Sequence, residues 1–429
     1  MHIPNRHFIA NYFVVFTTIL LFFTSRVDAN IFKFTFIFLL LLVLAKKLNR
    51  DWTTLKSVRF NKYIIISFFL MQFFIARSPD LYIENLFTVI YFFIIYVAYY
   101  YYLLRANIFD FVRVYYIFCF FIAILGLLQE GLFLISPDYL FYLSYGKNPD
   151  FMYGDNFNFL RIASLLDEPS RLGLFLLPAI AFGFGKYFLN TSFFYISKKS
   201  YFVICLAFVL TFSSHAYMSL FISIGFLLLF SNKISQFRKF TLLLLLLLSI
   251  PLLLNLDSVA EKIINTGIFS GEIDITTPTF QSSSFYWVAL KAMVKIIEDF
   301  NVFGVGMMNY HSFVADEWRL LGIDGFNDDG SNIGHARILV EFGILGYLFF
   351  IIFMYRFFIF KNPFSLIVCI NLQFINNVSF IFILVNLFRM GFYINPPLIL
   401  FVVLFVVSKT HYKKYLLEHS NTLPALKNK

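Results

Sequence analysis

The chain is a succession of apolar runs of helix length, separated mostly by short charged or turn-rich segments. In hydrocarbon no water bonds to exposed backbone N–H and C=O groups, so only helices and closed barrels cross a bilayer. These runs lack the alternation of barrel strands, and they are expected to be helices. Composition agrees: the 429 residues are 60% hydrophobic and 14% charged, against about 45–50% apolar and about 25% charged in a soluble domain. A soluble enzyme is excluded. Cys119, Cys205 and Cys369 lie too far apart in sequence for a small disulfide scaffold.

Twelve spans are expected, near 8–25, 30–45, 63–76, 86–104, 115–136, 171–186, 200–213, 216–231, 240–254, 334–355, 363–388 and 394–408. The fold class is thus an all-α polytopic membrane protein of about 12 transmembrane helices. It divides into residues 1–254 with nine helices, a large loop at 255–333, three helices over 334–408, and a tail at 409–429. Residues 8–23 after Arg6 have the outline of a signal peptide. Another apolar run follows at once, so a retained first helix is expected.

Charge orients these helices. Lys46, Lys47, Arg50, Lys56, Arg59 and Lys62 follow the second span, and alternate loops repeat the bias, which marks that side as cytoplasmic. That side, both termini included, holds 22 Lys/Arg against three acids, Asp51, Asp110 and Glu418. The result is +19 inside and −9 elsewhere, which reproduces the formal +10. The basicity is topogenic, and it gives no argument for nucleic acid, because the basic residues are spread over many segments.

Two outward loops are long, residues 137–170 and 255–333, and loops of that length are usually functional. The second carries an amphipathic helix candidate around Phe285 to Ile297. Its face of Trp287, Leu290, Val294 and Ile297 is expected to pack on the bundle or to lie in the membrane interface.

The first loop ends in Arg161-Ile-Ala-Ser-Leu-Leu-Asp167-Glu168-Pro169-Ser170-Arg171. Pro169 suits the first turn of the sixth helix, which puts Asp167 and Glu168 at its positive end as capping acids. Guanidinium pairs bidentately with phosphate oxygens, so Arg161 and Arg171 are phosphate-binding candidates, the alternative being ion pairs with the two acids. The second loop holds Gly304-Val-Gly306-Met-Met-Asn-Tyr310-His311 and leads into Gly334-His335-Ala-Arg337-Ile-Leu-Val-Glu341-Phe-Gly343-Ile-Leu-Gly346. His335 at a helix start is either structural or a general base. Arg337 and Glu341, spaced i, i+4, read as a surface salt bridge. Residues Asp324 to Asn332 only superficially suggest a calcium loop: with Gly330 as the loop glycine, Gly325 falls at the first ligand position and Ala336 at the last. No metal or other cofactor is expected. Asn371, Gln373, Asn376 and Asn377 in the eleventh span are expected to join helices by hydrogen bonds.

These segments resemble the bacterial O-antigen polymerase and O-antigen ligase superfamily, whose members have about ten to twelve helices and a large periplasmic loop late in the chain. The resemblance rests on Arg161 through Gly173 (an arginine, then Glu-Pro-Ser and a glycine), on Gly304-Val-Gly306, and on Gly334-His335 leading into Glu341-Phe-Gly343-Ile-Leu-Gly346. Ala336 stands where ligases have Asn, and Ser214-His215 where they have Ser-Arg or Thr-Arg. The resemblance implies a glycosyltransferase with a fold similar to the GT-C type. It would move glycan from undecaprenyl pyrophosphate to a sugar hydroxyl of a second lipid-linked repeat unit. The implied partners are that lipid-linked oligosaccharide, membrane lipid and a chain-length regulator protein. In this reading His335 or Glu168 activates the hydroxyl, with His311 behind them, and Arg161, Arg171, Arg337, Arg319, His311 and His215 bind pyrophosphate or substrate. The alternatives are a ligase acting on lipid A-core and, in another class, a lipid-linked oligosaccharide flippase.

Overall fold

A computed structural model describes residues 93–135, 160–166, 168–189, 191–193, 195–230, 236–248, 280–307, 309–320, 333–360, 366–389 and 396–419. The expected spans at 8–25, 30–45 and 63–76 lie outside the described residues, as do Asp167, most of the first long loop and residues 255–279, 308 and 321–332 of the second. The described chain is helical: α1 (93–105), α2 (Ile108–Ile135), α3 (Pro169–Phe188), α4 (Lys198–Val209), α5 (Ser214–Phe230), α6 (Gln236–Leu248), α7 (Phe280–Glu298), α8 (Tyr310–Leu320), α9 (Gly334–Phe357), α10 (Ile367–Arg389) and α11 (Pro396–His419).

Helices form at every expected span that falls among the described residues. Among those residues four helices, α2, α3, α9 and α10, and not all of the expected spans, have the length and apolarity to cross a membrane, and α9 reaches that length only across its break at Gly343. The lengths give the reason. α4 has 12 residues, which at about 1.5 Å each reach only about 18 Å of a hydrocarbon layer roughly 30 Å thick. α5 has 17 residues, and the apolar part of α11 ends at Ser408-Lys409 although the helix continues to His419. The chain is a helical membrane protein.

The main core gathers α1 to α5, the second half of α9, α10 and α11. A glycine lets α3 and α5 approach closely: a Cβ on Gly173 of α3 would come within 2.3 Å of the Ala216 Cβ of α5. Three of the four polar residues expected to join helices, Asn371, Gln373 and Asn376 of α10, bond to neighbouring segments, while the Oδ1 of Asn377 is buried without a hydrogen-bond partner. Asn376 Nδ2 donates to the carbonyls of Phe357 (3.1 Å) and Phe405 (2.9 Å) and to Ser408 Oγ (3.0 Å), while its Oδ1 accepts from Ile359 N–H at 2.9 Å. Gln373 donates to the carbonyls of Ile359 and Phe360, and Asn371 Oδ1 accepts from Ser192 N–H.

A second, smaller core joins α7, α8 and the start of α9 through Val288, Ala289, Ala292, Ile296, Tyr310, Val314, Leu339 and Val340. Of the two placements expected for the face of Trp287, Leu290, Val294 and Ile297, exposure of Val294 and Ile297 at 51% and 55% agrees with the membrane interface and not with packing on the bundle; the face that packs is Val288, Ala289, Ala292 and Ile296. Apolar residues line both sides of α7. The small side chains of Ala289 and Ala292 let neighbouring elements approach the second side.

α9 is not one straight rod. Gly343 has φ 69°, ψ −173° in its middle, a conformation essentially reserved for glycine. The Tyr347 hydroxyl lies 3.3 Å from His335 Nδ1, whereas twelve residues of continuous helix would separate them by about 18 Å. The chain therefore turns sharply at Gly343. Segment 301–306 satisfies the backbone groups freed by the break. Val305 and Gly306 N–H donate to the carbonyls of Val340 (3.0 Å) and Glu341 (3.1 Å), and Ile344 and Leu345 N–H donate to the carbonyls of Asn301 (3.2 Å) and Val302 (3.0 Å). The two strands of this junction meet at glycines. A Cβ on Gly304, whose φ is 79°, would fall 2.5 Å from the Glu341 oxygen, and one on Gly343 would fall 2.3 Å from Gly304 N.

Gly304→Ala and Gly343→Ala are expected to lower stability by about 2–3 kcal/mol or more, from backbone strain plus overlap. Gly131→Ala, in α2 with nothing within 4 Å of the added methyl, is expected to stabilise by about 0.5–1 kcal/mol. Thermal midpoints of the detergent-solubilised variants check both, and equal midpoints for Gly343→Ala and wild type would refute the junction.

Candidate functional site

One end of the bundle gathers most of the polar residues singled out in the sequence. Pro169 occupies the first turn of α3 with Glu168 as its N-cap residue, as expected. Glu168 Oε2 accepts from Ser170 Oγ at 3.0 Å, and the Glu168 carbonyl accepts from the N–H groups of Arg171 and Leu172. Arg171 and half-buried Glu168 thus flank the helix start.

Arg161 is brought beside them. Ile162 N–H donates to the Leu210 carbonyl at 3.1 Å, which ties segment 160–166 to the turn between α4 and α5. There the Arg161 guanidinium lies within electrostatic reach of Tyr217. The Tyr217 hydroxyl donates in turn to the Val209 carbonyl. His215, in the first turn of α5, stands next to Ala216, the residue that abuts Gly173. The N-termini of α3 and α5 therefore lie side by side, with Arg171 and His215 in their first turns and Arg161 on the segment tied to the turn before α5. The dipoles of both helices favour an anion at this end.

His215 also carries the link to the smaller core. The hydroxyl of Tyr286 on α7 lies 2.5 Å from His215 Nε2, and the rings stack at 5.4 Å. The adjoining face of α7 packs on the first half of α9, which holds His335. His335 is buried: Nδ1 faces the Tyr347 hydroxyl and Nε2 the Leu384 carbonyl, each at 3.3 Å. The rings of Tyr347, Phe350 and Phe388 pack around it. To accept a proton from a substrate it would have to give up one of these contacts.

Arg337 and Glu341 form an ion pair, but the surface location expected for it is corrected. Arg337 Nε donates to Glu341 Oε1 at 2.7 Å with side chains 4% and 0% exposed. α7, α8 and segment 301–306 cover that face of α9. Arg337 is accordingly held inside the smaller core instead of facing a substrate. Arg319, 3.4 Å from Asp316, sits on the exposed surface of α8 with both side chains at least 70% exposed, and a pair of this kind is worth little. His311, in the first turn of α8, packs edge-on against Tyr310.

Sequence reasoning missed four residues that shape this end. Tyr286 and Tyr347 hold the two histidines, but a tyrosine among 26 carries no signal of its own. Gln129 and Glu130, which grip segment 160–164 from α2, did carry one. They are adjacent polar residues in an otherwise apolar span, and such residues face the protein interior. No family model, characterised protein or solved structure matches the chain, so the function is argued from these residues and their arrangement.

Removing one partner of a buried ion pair costs about 3–5 kcal/mol, whereas replacing both by apolar groups is often neutral. Arg337→Met and Glu341→Leu are each expected to lower the thermal midpoint in detergent strongly, and the double variant to recover most of the loss. Additive losses in the double variant would show that the two side chains act independently.

Proposed function

We propose that the chain is a surface-polysaccharide polymerase of the O-antigen type, a glycosyltransferase of the bacterial inner membrane. In this reading the end of the bundle that carries the N-termini of α3 and α5 faces the periplasm. The observation that carries it is the adjacency of those two N-termini, with Arg171 and His215 in their first turns and Arg161 on the segment tied to the turn before α5, Arg161 through Gly173 being the stretch whose sequence resembles the polymerase and ligase superfamily. The opposite end supports the orientation, since basic Lys409 and His411 lie there against the carbonyls of Phe358 and Leu103.

The chemistry follows from the charges. The anomeric carbon of the growing glycan loses its bond to undecaprenyl pyrophosphate and gains one to a sugar hydroxyl of a second lipid-linked unit. The departing pyrophosphate carries the bond pair, and the hydroxyl proton goes to a base. Fixed positive donors stabilise the charge that develops on the leaving group. Arg161 and Arg171 supply the guanidinium groups and His215 a further donor. Glu168, half-buried beside Arg171, is the more accessible of the two base candidates, and His335 is the other.

Deletion of the gene and electrophoresis of the surface lipopolysaccharide checks the assignment. A core carrying a single repeat unit is the expected result. Bare core with accumulated lipid-linked polymer would instead identify a ligase, and bare core with intermediates held on the cytoplasmic side a flippase. Arg161→Lys keeps the charge but loses the bidentate geometry and is expected to shorten the chains; chains of wild-type length would make Arg161 structural.

The two base candidates separate by a pair of variants. His335→Gln preserves hydrogen bonding toward Tyr347 and Leu384 but removes a base. If Glu168 is the base, His335→Gln makes long chains and Glu168→Gln makes none, with both proteins present in the membrane. The reverse pattern assigns the base to His335.

A further inference from the structure

Gln129 and Glu130 are buried in α2, only 1% and 5% exposed, and their side chains reach across to the backbone of the segment that carries Arg161. The Glu130 carboxylate accepts from Leu160 N–H, at 3.2 Å to Oε2 and 3.4 Å to Oε1. Gln129 Oε1 accepts two successive N–H groups, Ala163 at 3.2 Å and Ser164 at 2.9 Å. From the same segment Ser164 Oγ donates back to the Ile122 carbonyl of α2 at 2.8 Å. Ser164 is held at φ 54°, a left-handed conformation costly for a residue other than glycine, so the surrounding contacts must impose it. Ile162 closes the contact, because its Cδ1 would lie 3.0 Å from a Cβ added at Gly126 of α2.

The arrangement is expensive in an apolar helix unless it is used. Two polar side chains in a span cost desolvation free energy that lipid-facing residues would not. They return it by satisfying N–H groups of an irregular segment that has no helix of its own. Between wholly buried Leu160 and Ile162, Arg161 alone stays partly exposed. Fixing its neighbours on both sides fixes where its guanidinium emerges, by the turn between α4 and α5 and within reach of Tyr217.

We propose that Gln129 and Glu130 are positioning residues that hold Arg161 for a pyrophosphate group, acting through the backbone of residues 160–164 without touching the ligand. This rests on the phosphate-binding reading of Arg161. Geometry of this kind matters because displacing a binding group by about 1 Å can cost up to about a hundredfold in rate.

The test uses the full-length protein in detergent with Cys119, Cys205 and Cys369 replaced by Ala and a nitroxide on Leu165→Cys. Leu165 is an exposed member of the same segment, so the label reports its order while Arg161 is kept. Binding of inorganic pyrophosphate is measured by calorimetry on the same proteins. Gln129→Leu and Glu130→Leu are expected to raise the label's mobility and to weaken pyrophosphate binding by about tenfold. Glu130→Gln, which retains a carbonyl acceptor for Leu160 N–H, rescues both readouts. An unchanged label spectrum in the two Leu variants would overturn the proposal. So would a loosened segment that binds pyrophosphate normally while Arg161→Ala does not, because Arg161 would then need no clamp. If Arg161→Ala itself binds pyrophosphate as wild type does, the phosphate reading fails, and the positioning proposal with it.

Discussion

A helix broken within an apolar protein leaves carbonyls on one side of the break and N–H groups on the other, and each must find a partner. At Gly343 all four bonds come from segment 301–306, through the N–H groups of Val305 and Gly306 and the carbonyls of Asn301 and Val302. Much of the smaller core depends on this exchange. It turns α9 back so that Tyr347 reaches His335, lets α7 and α8 cover the first half of α9, and thereby encloses the Arg337–Glu341 pair.

The same logic governs the other half of the candidate site. Segment 160–166 is irregular chain against a helical bundle, and it too must bond its backbone to something. Side chains of α2 and the Leu210 carbonyl do this. Irregular backbone in an apolar bundle is tolerated only where protein satisfies it, and here the held residues are those that flank Arg161.

Much of this was legible in the residues. Pro169 marked the start of α3 because its ring suits a first helical turn, and the structure begins the helix there. The amides of α10 read as links between helices, and Asn376 makes four such bonds. Glycines 304, 306 and 343 drew notice only as parts of two separate motifs. That they meet in one junction could not be read, since their pairing spans about forty residues and depends on a break that periodicity does not reveal. Which apolar face of α7 packs was open for a related reason: both sides of the helix are apolar, and only its neighbours choose between them.

By itself the sequence determined that the chain lives in a membrane as helices, because long uncharged runs leave the backbone no other way to satisfy its polar groups. It also marked Arg161, Arg171, His215 and His335 as residues without an obvious place in lipid. The tertiary structure decided what each can reach. Arg171 lies in the first turn of α3 and Arg161 on a segment tied to the turn before α5, His335 is enclosed by aromatic rings, and Arg337 is turned inward to Glu341. Those outcomes rest on contacts between distant segments, and the character of a side chain does not specify which distant backbone group will satisfy it.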